Sequence, residues 1–218
     1  AGVEALAALG AVDFLMWVVT GISTGLTQGF SIQLSQYYGA KDFENLRKSL
    51  AHSYRLTAFI AAGVLILSQS FASLVLTGLH TPSNIIGMSL LYLRIIFCGI
   101  PATAAYNMFA SALRAMGNSK TPLTAMIIAS VLNVSLDILF VAGFGWGVAG
   151  AAIATVIAQS FSAVYCFLIL RRIDIVHLTR ADFMPASGMN ARLMKLGIPV
   201  VFQNIIIGVG GLVVQYVI

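Results

Sequence analysis

The sequence predicts an all-α, polytopic bundle of membrane-spanning helices. Three observations carry that prediction. The chain of 218 residues is 59% hydrophobic and only 9% charged, with a mean hydropathy of +0.95, whereas soluble domains carry about 25% charged residues. Its apolar residues gather into six stretches of 20 residues or more, without the alternation of a barrel strand. Its basic residues recur in every second connection. Length here therefore counts spans rather than soluble domains.

The six stretches are Val12–Tyr38, Tyr54–Leu79, Ile85–Leu113, Pro122–Phe144, Val148–Leu170 and Leu196–Ile218. The first carries Gly21, Gly25 and Gly29, two overlapping G-x-x-x-G steps that let helices approach closely in lipid. The third is long for one crossing: its first turns are expected in the interface, with a kink at Pro101. The fifth opens on a small-residue run, Gly147 to Thr155. The last stops at Ile218 without a polar tail, and Ala1–Ala11 has no basic signal-peptide region, so the chain reads as cut from a longer one.

Lys41, Arg47, Lys48 and Arg55 follow the first stretch, Arg114 and Lys120 the third, and Arg171, Arg172, Arg180, Arg192 and Lys195 the fifth. The other connections, Gly78–Asn84 and Gly145–Gly147, have none. The positive-inside rule then places loops 39–55, 114–121 and 171–195 in the cytoplasm of a plasma (inner) membrane, with Ser187 inside and His80 outside. On this reading the net charge of +5 is a topology signal and implies no nucleic-acid partner; the partners are membrane lipids. Arg94 is the one basic residue left within a span, free to snorkel outward or to contact substrate.

The chemical centre of the sequence is Val131–Phe140, V-L-N-V-S-L-D-I-L-F. It sets Asn133 and Asp137 into a run of 23 residues without Lys or Arg, about 34 Å long as a helix. A charge at such depth costs ~2.5–3.5 kcal/mol on insertion scales and usually faces a cavity or a partner. Four residues apart, the two side chains share a helix face. By helical rise Thr155 comes to the depth of Asp137 across a very short turn. Carboxylate, amide oxygen and hydroxyl are hard ligands, suited to Na+ at Asp137, Asn133 and Thr155 or to a relayed proton. The competing reading is a packing amide beside a neutral, hydrogen-bonded Asp. Gln28, Gln36, Asn107, Gln159, Gln203 and Asn204 are further intramembrane polar residues. Each alone reads as helix-to-helix glue; together with Arg94 they are candidates to line a pathway.

Enzyme signatures are absent. There is no H-E-x-x-H, no clustered Cys and His and no G-x-S-x-G, and Asp42-Phe43-Glu44 reads as a solvated loop. No cofactor is implied beyond H+ or Na+ as coupling ion.

The segments A-L-R-A-M-G-N-S-K-T-P (Ala112–Pro122), N-V-S-L-D (Asn133–Asp137) and G-V-A-G-A-A-I-A-T-V-I-A-Q (Gly147–Gln159), with E-A-L-A-A-L-G (Glu4–Gly10), Q-Y-Y-G-A (Gln36–Ala40) and L-G-I-P (Leu196–Pro199), resemble multidrug and toxic compound extrusion (MATE) transporters. The resemblance implies helices two to seven of a twelve-helix fold built as two six-helix lobes. Residues 1–170 would be the first lobe without its first helix, 171–195 the inter-lobe connection, and 196–218 the first helix of the second lobe. It implies antiport: small cationic or amphipathic compounds exported against H+ or Na+, in company with the remainder of the polypeptide. The family's fifth-helix Asn and Asp match Asn133 and Asp137, and its sixth-helix Thr matches Thr155. A related flippase of lipid-linked sugars is the runner-up, but its cavity should hold several Arg or Lys for pyrophosphate. A non-transporting structural subunit is the third class and would tolerate Asp137→Ala.

Overall fold

The computed structural model describes residues 3–78, 85–184, 186 and 188–217, without the side chains of 3–19, 75, 78 and 208–217; His80 and Ser187, used above for sidedness, lie outside the described residues. Every long element is a helix, in the order α1 (Val3–Gly39), α2 (Phe43–Gly78), α3 (Ile86–Cys98), α4 (Ile100–Ala115), α5 (Lys120–Asp137), a π-helical segment Ile138–Gly143, α6 (Gly147–Arg171) and α7 (Met189–Val217). Among the described residues α2, α6 and α5 with its π segment are long and apolar enough to cross a bilayer, and α3 with α4 makes a fourth span if the bent pair is one crossing. The break falls at Gly99, where the axis turns by 42° just before Pro101. Proline lacks the N–H that would continue the ladder. Glycine fits there because a Cβ at Gly99 would stand 2.8 Å from Val156 Cγ2 on α6.

The small-residue stripe of α1 meets α7 running the other way. A Cβ at Gly25 would lie 2.8 Å from Val201 Cα, one at Gly29 would collide with Gly197 Cα, and Gly21 faces Asn204 Cβ at 3.9 Å. The close approach that the spacing predicts is therefore a backbone-to-backbone contact. α7 starts at Met189, one to two turns before the apolar stretch that announced it.

The largest core cluster lies at the basic end, where Leu34, Leu46, Leu50, Leu113, Leu170 and Leu193 come together from α1, α2, α4, α6 and α7. Asp42 caps α2 there: it accepts from Asn45 Nδ2 at 2.7 Å and from the Asn45 backbone N–H at 3.2 Å. Those bonds hold its carboxyl below the ordinary value. Glu44 pairs with Lys48 at 2.6 Å.

The connection from α6 to α7 is strapped across the first half of α2. Buried Asp182 closes a capping box with Thr179 and faces Arg47 Nε at 3.8 Å. Arg55 donates to the Phe183 carbonyl at 2.9 Å. His52, 2% exposed, places Nδ1 2.7 Å from Asn190 Oδ1 and Nε2 3.1 Å from the Met184 carbonyl. A leucine at position 52 would remove both contacts. His52→Leu is expected to lower stability by about 1–3 kcal/mol, read as a fall in Tm in detergent; an unchanged Tm would show that the strap is not held there.

Candidate functional site

α5 lies at the edge of the bundle. Only Pro122, Ala125 and Ala129 are buried along it, while Val131, Val134 and Ile138 are exposed. Its register against α6 is set by the hairpin that joins them. Phe140, Phe144 and Trp146 form an aromatic cluster with centroids 5.2–6.0 Å apart. Gly150 passes so close beneath it that a Cβ would stand 2.9 Å from Phe140 Cβ.

Within this hairpin Asn133 Nδ2 donates to Thr155 Oγ1 at 3.4 Å, and Thr155 Oγ1 donates back to the Ala151 carbonyl at 3.0 Å. The helical-rise argument put Thr155 level with Asp137; its hydroxyl instead meets Asn133, one turn deeper. The reason is the π-helical Ile138–Gly143, which follows Asp137 directly and bonds i to i+5, as Phe144 N–H does to Leu139 O at 2.9 Å. Such a segment packs more residues into each unit of length than an α-helix, so Asn133 sits nearer the turn than a straight helix allows. π segments of this kind are rare and frequent at functional sites. Asp137 Oδ1 is buried and makes no hydrogen bond.

Two small cavities flank the same edge of α6. One, of about 130 Å³, is lined by Asn133, Thr155 and Gln159 together with Tyr106, Ser130 and Ser162. The other, of about 100 Å³, is lined by Thr155 and Gln159 together with Thr20, Gly99 and Thr103. The first is large enough for ordered water among polar partners. Sequence reasoning missed Tyr106, Ser130 and Ser162. For Ser130 and Ser162 the signal was spacing: positions 130, 133 and 137, and 155, 159 and 162, follow a helical face.

The remaining polar candidates do not join this group. Asn107 Nδ2 donates to Thr24 Oγ1 at 3.1 Å, and Asn204 Nδ2 to the Gly21 carbonyl at 3.4 Å, both tying helices together. Gln28, Gln36 and Gln203 are exposed. Arg94 is exposed on α3, and its backbone carbonyl accepts from Gln69 Nε2 at 2.9 Å. The Asn133–Thr155 pair thus lies beside polar space, with the Asp137 carboxylate one helical turn along α5. That set suits a hard monovalent cation or a proton.

Comparison with known proteins agrees with this architecture. The chain is 28% identical to the "Probable multidrug resistance protein YoeA" of Bacillus subtilis, over 98% of this chain and 48% of the relative. It is 30% identical to the "Probable multidrug resistance protein YpnP" of the same organism, over 100% and 48%. Its fold matches a solved structure described as "Inward-facing conformation of a multidrug resistance MATE family transporter of the MOP superfamily", with a TM-score of 0.88 and 24% identity, over 94% of this chain and 47% of that one. The chain spans about half the length of these relatives. The family model named MatE matches residues 1–139, and the chain accordingly belongs to the MatE family of integral membrane proteins.

Proposed function

We propose that this chain is part of a secondary antiporter that exports drugs, toxins or organic cations in exchange for H+ or Na+. Asp137 is the titrating or cation-binding group, and Asn133 and Thr155 complete its oxygen set. One observation carries the reading: Asp137 presents a buried oxygen without a hydrogen bond, one helical turn from the Asn133–Thr155 pair. An orphaned carboxylate oxygen inside a membrane span is costly, and a bound cation or proton offsets that cost. The multidrug names of the two Bacillus relatives support the substrate class. Residues 1–170 belong to one lobe and 196–218 begin the next, with 171–195 between them. Alternating access works by rocking such lobes against each other. Exposed Gln28, Gln36 and Gln203 are then free to face the pathway. The test is ion-driven uptake by the full-length protein carrying Asp137→Asn.

The basic loops lie on the cytoplasmic side of the plasma membrane in this reading. Single cysteines at Phe144 and Asp174, at the two ends of α6, check it in a background lacking Cys98 and Cys166. An impermeant maleimide on intact cells is expected to label Phe144→Cys and spare Asp174→Cys. Equal labelling of the two would remove α6 as a crossing.

A further inference from the structure

A larger groove runs between α2, α4 and α6, lined by residues that the antiport reading leaves unused. Its volume is about 360 Å³, and Ala58, Ala62 and Leu65 of α2 face Pro101 and Ala105 of α4 across it. At one end the aromatic rings of Tyr54, Phe109 and Phe167 meet, with centroids 5.2–5.4 Å apart. Tyr54 and Phe167 also line a neighbouring cavity of about 350 Å³, whose other walls include Arg171, His177 and Phe183.

The two halves differ in chemistry. The first is walled by apolar side chains apart from the hydroxyls of Tyr54 and Thr57. The second opens among basic groups at the end of the bundle where the Lys and Arg residues gather. Arg171 is exposed, and Arg55 is held at the rim by its bond to the Phe183 carbonyl. Two carboxylates lie nearby: Asp182, beside Phe183, faces Arg47 at 3.8 Å, and fully exposed Asp174 reaches His177 Nε2 at 3.8 Å, so among the described residues neither forms an ion pair with Arg55 or Arg171.

Length selects the occupant. From Tyr54 to Leu65 the groove follows twelve residues of α2, roughly 16 Å at helical rise. That is about half of a ~30 Å hydrocarbon core, the depth of one leaflet. An acyl chain fits the apolar half, and a phosphate at its head reaches the basic half, where anionic headgroups are attracted. We propose that the groove between α2, α4 and α6 binds one anionic phospholipid, with its acyl chain along Ala58–Leu65 and its phosphate at Arg55 and Arg171. The proposal rests on membrane insertion alone and holds whether or not Asp137 couples ions.

Native mass spectrometry of the full chain in mild detergent tests it, with added dioleoylphosphatidylglycerol or dioleoylphosphatidylcholine. The chain is expected to retain one phosphatidylglycerol about tenfold better than phosphatidylcholine. The double variant Arg55→Gln/Arg171→Gln should keep a bound lipid and lose the preference. Ala62→Phe, at an exposed position that projects into the groove, should lose that bound lipid of either kind. Circular dichroism and monodisperse elution confirm that each variant is folded. Equal retention of the two lipids by the unaltered chain, or a preference that survives either variant, overturns the proposal.

Discussion

Asp137→Asn is expected to give folded, membrane-inserted protein that has lost coupled export. Asparagine keeps the size and polarity of the side chain and removes its charge. It can neither take up and release a proton nor neutralise a bound cation. Ion-driven uptake of a fluorescent cation, normalised to protein in the membrane, should fall by about tenfold or more, a change of at least about 1.4 kcal/mol in the coupled step. What uptake remains should no longer follow the imposed pH or Na+ gradient. Asn133→Ala and Thr155→Ala each remove a neutral donor and leave the charge, so they should weaken the same uptake less. Thr155→Ala also strips Asn133 Nδ2 of its acceptor, which should make it the more damaging of the two. Parental uptake with unchanged ion dependence in Asp137→Asn would reduce Asp137 to a structural residue and take the antiport mechanism with it.

The second large effect concerns stability. Gly29→Ala adds one carbon where α1 meets α7. That carbon collides with Gly197 Cα and stands 2.6 Å from Gly197 N and 2.7 Å from Leu196 O. These are backbone atoms, so no rotamer change relieves the contact, and the helices must part. Overpacking of this kind costs about 1–3 kcal/mol or more. Gly63→Ala is the internal comparison: nothing lies within 4 Å of a Cβ there, and a helix interior gains up to ~1 kcal/mol on replacing glycine by alanine. The same substitution should therefore lower Tm at position 29 and hold or raise it at position 63. Equal shifts would show that α1 and α7 are not in backbone contact.

Helix existence was legible because composition and length decide it, and so was the glycine stripe, because spacing alone marks a close-packing face. The pairing of Asn133 with Asp137 on one face followed from their four-residue separation. The bend at Gly99 was legible through Pro101, though not the closeness of Val156 on α6, which leaves no room for a Cβ there. The π segment after Asp137 was hidden, since hydropathy reads what residues are and not which carbonyl each N–H reaches. Its consequence, Thr155 meeting Asn133, was hidden with it. Equally hidden was which way each intramembrane amide turns. Asn107 and Asn204 tie helices while Gln28 and Gln203 stay exposed, and helix rotation is set by packing partners rather than by the residue itself. The strap over α2 was illegible for the same reason: Asp182 and His52 are ordinary polar residues until Arg47, Met184 and Asn190 arrive from elsewhere in the chain.

The antiparallel contact of α1 with α7 also bears on how the chain is made. Asn204 and Gly21, joined across it, are 183 residues apart in the chain. At synthesis rates of about 5–20 residues per second, roughly 10–40 s separate the emergence of one from the other. For that interval α1 sits in the bilayer with its glycine face turned to lipid or to a passing helix, until α7 emerges to cover it.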